Sequence, residues 1–212
     1  MNLRTNNFTY QFITGIAFSF ALLHTPQATS ARQTETSEAQ RSEADETQLA
    51  EALELHNSAI ELYQQGKYQL AMDRVQRAIA IREKLLGAEH SETANSLNTL
   101  AVLHNIQGNY ATAEPLHSRA LKIREKTLGP DHPDTAQSLN NLASVYRKLG
   151  NDAAAEPLYL RALKIREKQH GPNHPKTAIT INSLAILYQK QRNFSAAIPL
   201  YERALKINEE TL

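Results

Sequence analysis

The chain of 212 residues contains no cysteine and no tryptophan. Without cysteine it has no disulfide, no thiolate metal ligand, no cysteine nucleophile and no cysteine-linked lipid anchor. Glycine and proline are scarce, at 7 and 8 residues, which speaks against turn-rich sandwiches and barrels and against glycine-rich phosphate loops. A surplus of charge is missing as well: 23 Lys and Arg face 22 Asp and Glu, for a formal net charge of +1. That balance gives no electrostatic case for nucleic acid or an anionic membrane surface. What remains abundant is Ala, Leu, Glu, Gln, Lys and Arg. These are strong helix formers, so an all-α fold is expected.

Residues 1–31 carry a single charged side chain, Arg4. A mostly apolar run from Phe12 to Leu23 follows it, then Pro26 and the small residues Ala28, Thr29, Ser30 and Ala31. Basic start, short apolar core and small-residue end are the three parts of a secretory signal peptide, with cleavage expected after Ala31. The alternative is an uncleaved anchor over residues 8–23, the only route by which a membrane would be involved. A run of twelve residues spans about 18 Å as helix, short of the roughly 30 Å of bilayer hydrocarbon. An exported protein, periplasmic or extracellular, is therefore expected. Residues 32–50 are polar, rich in Thr, Ser and Glu, and free of aromatics. Such a stretch buries too little apolar surface to offset ordering entropy, which predicts a flexible linker.

From residue 51 to 212 the sequence repeats with a period of 42 residues: Thr93, Thr135 and Thr177 share a column, as do Gly66, Gly108 and Gly150. The segment IREK recurs at 81–84, 123–126 and 165–168. An internal period of this length signals a solenoid. The units fall at about 51–90, 91–132, 133–174 and 175–212. Each reads as two helices, here called A and B. In the second unit, helix A is predicted from about Ser91 to Gln107 and helix B from about Ala111 to Leu128, with Gly108-Asn109 between them. Pro115, Pro157 and Pro199 are expected in the first turn of helix B, where a missing N–H is tolerated. His90, His132 and His174 recur in the turn before helix A, where a capping role is expected rather than a shared metal. Ala59, Ala101, Ala143 and Ala185 on helix A, and Ala78, Ala120, Ala162 and Ala204 on helix B, form small-residue columns that let helices approach closely.

Alternating small and aromatic columns, a glycine in the middle of each unit and paired helices resemble tetratricopeptide repeats. The blocks GPDHPDTAQSLNNLASVYRKLGN and AEPLYLRALKIREK are similar to the longer repeat of kinesin light chains. That resemblance covers residues 51–212. It implies a right-handed α-solenoid of about four helix-turn-helix units, with a concave groove lined mainly by A helices. It also implies a non-catalytic scaffold that binds a protein or peptide.

No catalytic or metal-binding constellation stands out. G-x-x-x-x-G-K-[ST], G-x-S-x-G and H-E-x-x-H are all absent from the sequence. His104 and His117 occupy columns held by Tyr146 and Tyr159 one period later and are expected in or near the core. No cofactor and no metal is expected. Two arginine ladders, Arg77, Arg119, Arg161 and Arg203, then Arg82, Arg124 and Arg166, run along helix B beside glutamates. They are expected on solvated, salt-bridged faces rather than on a nucleic acid.

The candidate ligand residues are asparagines. Asn98, Asn140 and Asn182 lie one period apart, and Asn141 is in the adjacent column. Asn is a poor residue for the middle of a helix, and its amide both donates and accepts. A row of such amides suits the backbone of an extended peptide, and the resemblance implies the same use. Asn95 and Asn105, and the cations Arg147 and Lys148, are expected on the same face, with a preference for an acidic or C-terminal carboxylate group. Leu200, Tyr201, Ala204, Leu205 and Ile207 on the last helix are expected to be partly exposed. They offer a second possibility, a structural or oligomerising subunit that associates through that helix.

Overall fold

The computed structural model describes residues 26–210, with side chains from residue 40. Residues 1–25 of the expected signal peptide, which runs to residue 31, and all of the alternative anchor over residues 8–23 lie outside the described residues. The described residues form eight helices and no strand: α1 (Pro26–Gln64), α2 (Tyr68–Leu85), α3 (Ser91–Ile106), α4 (Tyr110–Thr127), α5 (Pro133–Lys148), α6 (Asp152–His170), α7 (Pro175–Lys190) and α8 (Phe194–Glu210). Among them none is long and apolar enough to cross a membrane. The chain divides into two compact units, residues 1–43 and residues 44–212. In the first, residues 26–43 are helical. The flexible linker expected over residues 32–50 is thus corrected to helix. It lacks glycine and proline and is rich in Ala, Glu, Gln and Arg, and this propensity outweighs its low hydrophobicity.

The second unit is an α-solenoid of helical hairpins. The odd-numbered helices are the A helices and the even-numbered ones the B helices. Gly66, Gly108 and Gly150 turn A into B with φ near +80° (73°, 79° and 81°), a backbone that L side chains resist. At the opposite turns, His90, His132 and His174 cap α3, α5 and α7. Each Nδ1 accepts the backbone N–H two residues on, from Glu92, Asp134 and Lys176. Thr93, Thr135 and Thr177 donate back to the carbonyls of Gly87, Gly129 and Gly171. The turn chemistry therefore repeats with the sequence period.

The prolines depart from expectation. Pro115, Pro157 and Pro199 lie inside α4, α6 and α8, beyond the first turn. All three are exposed, so the carbonyl each leaves without an intrahelical donor can turn toward water.

Both alanine columns are buried throughout. Around them pack Leu97, Leu100 and Leu103 of α3, Leu139 and Leu142 of α5, and Ile181, Leu184 and Leu187 of α7, in a row of core clusters along the repeats. The last helix is less exposed than expected. Ala204 and Ile207 are buried against Ala178 and Ile181, while Leu205 is open to solvent.

Successive A helices touch: α3 meets α5, and α5 meets α7. Among the described residues no such contact joins α2 to α4, α4 to α6 or α6 to α8. Instead, Arg119, Arg161 and Arg203 span those wider gaps to Glu83, Glu125 and Glu167. Close A helices and spread B helices make the A-helix side of this unit the concave one.

Candidate ligand-binding face

Along the A helices, four columns are exposed or half-buried: Leu53, Asn95, Gln137 and Ile179; Asn57, Thr99, Asn141 and Ser183; Ile60, Val102, Ser144 and Ile186; Tyr63, Asn105, Arg147 and Gln189. Period 3.6 sets them on one surface while their neighbours enter the core. The face changes character along its length. At its N-terminal end Ile60, Tyr63, Thr99 and Val102 line a depression of about 170 Å³, floored by Asn98 and Leu103. Farther on it carries Gln137, Asn141, Ser144, Arg147 and Lys148.

The eight candidate residues divide into three groups. Asn98 and Asn140 are buried. The Asn98 oxygen accepts from His117 Nδ1 at 3.1 Å and from Asn141 Nδ2 at 3.1 Å. It ties α3 to its own B helix and to the next A helix. Since that oxygen can only accept, His117 carries its proton on Nδ1, which leaves Nε2 as a buried acceptor with no partner. Burial, then the nearby Arg124 charge, pushes the His117 imidazole down to about 4. Asn140 holds the same place one repeat later, opposite Tyr159, and its oxygen is buried without a partner.

Asn95 is also committed. Its amide donates to Glu92 at 3.3 Å, and its oxygen accepts from Arg124 at 2.9 Å. The residues that remain available are Asn141, whose oxygen makes no hydrogen bond to the described residues, and Asn182, Asn105 and Lys148. Asn182 and Lys148 are exposed, and Asn105 is half-buried. Arg147 is half-buried with a buried Nε. Lys190, from the same face, is bound to Asp152 and to the Arg147 carbonyl.

The second arginine ladder contradicts its expected solvent exposure. Arg82, Arg124 and Arg166 are buried. Each donates through Nη1 to a backbone carbonyl of the next A helix, that of Glu92, Asp134 or Lys176. The same nitrogen reaches Ser96, Ser138 or Thr180. These guanidiniums join one repeat to the next. The sequence signal was the Ser/Thr column fourteen residues after each arginine. The first ladder matches expectation, with Arg77, Arg119, Arg161 and Arg203 paired to glutamates. Among the described residues, no three His, Cys, Asp or Glu side chains come together as a metal site.

None of the curated proteins matches the chain. Solved structures do. BtubC (BKLC) from P. vanneervenii superposes with a TM-score of 0.69 at 21% identity, covering 85% of this chain and 76% of that one. A putative kinesin light chain with nearly identical TPR-like repeats from Podosopora anserina superposes with a TM-score of 0.62 at 27% identity, covering 76% of each chain. The apo form of RapI gives 0.68 at 20% identity, over 77% of this chain and 57% of that one. The tetratricopeptide-repeat profile matches residues 55–125, 92–168 and 140–210. With its helical hairpins, capped turns and 42-residue register, the chain belongs to the tetratricopeptide-repeat family.

Proposed function

We propose that this repeat scaffold binds an extended protein or peptide segment along its A-helix face and catalyses nothing. The observation that carries this is the largely apolar depression between α1 and α3, with the unpaired Asn141 oxygen and the exposed Asn182 farther along the A helices. Ile60, Tyr63 and Val102 offer a seat for one apolar side chain. Asn141 and Asn182 offer donors and acceptors to a peptide backbone whatever its sequence. Asn98, Asn140 and Asn95 support the face from behind, and Arg147 and Lys148 lend it positive potential. The test is selection of binders from a random dodecapeptide library on the full chain, with affinities read by fluorescence anisotropy. Val102→Glu, and Asn141→Ala with Asn182→Ala, should each weaken the selected peptides tenfold or more. Ile198→Glu on α8 should not. Binders indifferent to all three changes would place the ligand elsewhere.

A second role, self-association through α8, is favoured by a specific contrast. Tyr201 is half-exposed, whereas Val75, His117 and Tyr159 in the same column are fully buried. Export from the cytosol is proposed on residues 1–31 alone. Intact mass of the protein from its native cell tests it, since retention of those residues would rule out cleavage.

A further inference from the structure

Each B helix carries a seam of four residues spaced four, three and four apart, the pattern by which one helix packs along another. On α2 the seam is Tyr68, Met72, Val75 and Ile79, and on α4 it is Tyr110, Glu114, His117 and Leu121. The A helix that follows, running antiparallel, packs on the apolar members of each. On α8 the seam is Phe194, Ile198, Tyr201 and Leu205. Among the described residues no helix covers it. Phe194, Ile198 and Leu205 are 54%, 55% and 59% exposed, and Tyr201 is half-exposed.

The opposite end of the repeat unit, built from residues 44–64 of α1 and from α2, is unsuited to fill that place in a second copy. Ser58 stands where Leu100, Leu142 and Leu184 join core clusters with the preceding B helix. Arg74 stands where Leu116, Leu158 and Leu200 stand. Exposed Glu51 and Glu54 replace the buried Thr93 and Ser96. With Leu55 and Arg77 these residues border a hollow of about 370 Å³. The arginine staple is missing from both ends as well. Glu54 takes the place of its Ser or Thr acceptor, and Asn208 takes the place of Arg82, Arg124 and Arg166. A head-to-tail contact would press carboxylates and a guanidinium onto the apolar seam.

We propose that the α8 seam is covered by α8 of a second copy, lying antiparallel to it, in a tail-to-tail dimer with two-fold symmetry. The proposal rests on the reading above that the chain self-associates through α8, and it gives that association a geometry. With the axis between Pro199 and Leu200, Phe194 meets the partner's Leu205, and Ile198 meets the partner's Tyr201. Each pair occurs twice, as an isologous contact requires. The antiparallel sense is the one in which A helices already cover the seams of α2 and α4.

Charge selects the same arrangement. At the start of α8 the position held by Gly66, Gly108 and Gly150 in the earlier units is exposed Arg192, at a φ of 60°. Glycine would adopt that backbone at less cost, so the cation is placed there against local preference. The other end of α8 carries exposed Glu209 and Glu210. An antiparallel pair sets each Arg192 beside the partner's Glu209 and Glu210. A parallel pair would set like charges together at both ends. One short seam per copy is a small interface, so the dimer is a weak, micromolar one.

The experiment is sedimentation velocity of the full chain from about one to a few hundred micromolar. The mass should rise with concentration and level off at that of two chains. Ile198→Glu and Leu205→Glu should each hold it at one chain. Arg192→Glu should weaken the dimer tenfold or more, and so should Glu209→Arg with Glu210→Arg. All three charge changes together should restore it to within threefold of wild type. Glu54→Lys, at the opposite end, should change nothing. Every substituted side chain is exposed, so melting temperatures should stay level across the set.

If association that Leu205→Glu abolishes climbs past two chains, ignores the charge changes or is not restored by combining them, the tail-to-tail dimer fails and association through α8 stands. If the wild-type chain stays monomeric at tens of micromolar, or its association survives Leu205→Glu, both fail together.

Discussion

At the scale of single residues, asparagine marks the candidate face for a reason that differs from the expected one. Asn98 lies close to the predicted surface, yet its oxygen is consumed by His117 and Asn141. The amide that recurs in the sequence is there partly to hold hairpins together. That network has a consequence for pH. His117 is fully buried and neutral, with Nε2 facing no partner. Protonation would place an unsatisfied charge in the core. Its folded value of about 4 lies below the ordinary 6.5. Between those values the unfolded chain binds more protons, so stability falls as pH drops through the window. His117→Val, which copies Val75, removes the titrating group. From pH 7.5 to 4.5 the wild-type chain should lose about 2.5 kcal/mol more than this variant, read by urea unfolding at each pH. Equal losses would mean that His117 also takes up its proton in the folded chain, where water reaches it.

At the scale of elements, the helices, their glycine turns and their histidine caps were legible because each is written in the 42-residue register. The arginine staples were not. A charged column beside glutamates looks like a solvated helix face, and only the partner column of Ser96, Ser138 and Thr180 on the following A helix gives it away. The prolines misled for a related reason. Their place relative to the glycine turn is fixed by sequence, but the start of helix B is fixed by packing, one turn earlier than proline prefers. The two arginine ladders should respond differently to substitution. Arg124→Met leaves the Asp134 carbonyl, Ser138 and Asn95 without their donor, and should cost about 2–4 kcal/mol. Arg77→Met breaks an ion pair whose arginine is 59% exposed, and should change stability by no more than about 1 kcal/mol. Chemical denaturation of the two variants side by side checks this. Similar costs would show that burial does not distinguish the ladders.

At the scale of the whole repeat unit, stability accumulates from each hairpin and its interface with the next. One column shows what that implies. Ile79 and Leu121 are buried by the A helix that follows them, and Leu163 is half-buried, whereas Leu205 is 59% exposed together with Ile198 on α8. The same apolar position is core in one repeat and surface in another because no described element packs on α8 from that side. The sequence could reveal the column but not its exposure, which depends on what stacks next. Leu121→Glu should therefore cost about 3 kcal/mol or more through a buried unpaired charge. Leu205→Glu should be near neutral for the isolated chain. If the α8 face binds a second copy, light scattering of the wild-type chain should show a mass that rises with concentration, and Leu205→Glu should hold it at the monomer. A wild-type monomer at tens of micromolar, with Leu205→Glu indistinguishable from it, would remove self-association through α8. The A-helix face would then be left as the surface on which this scaffold acts.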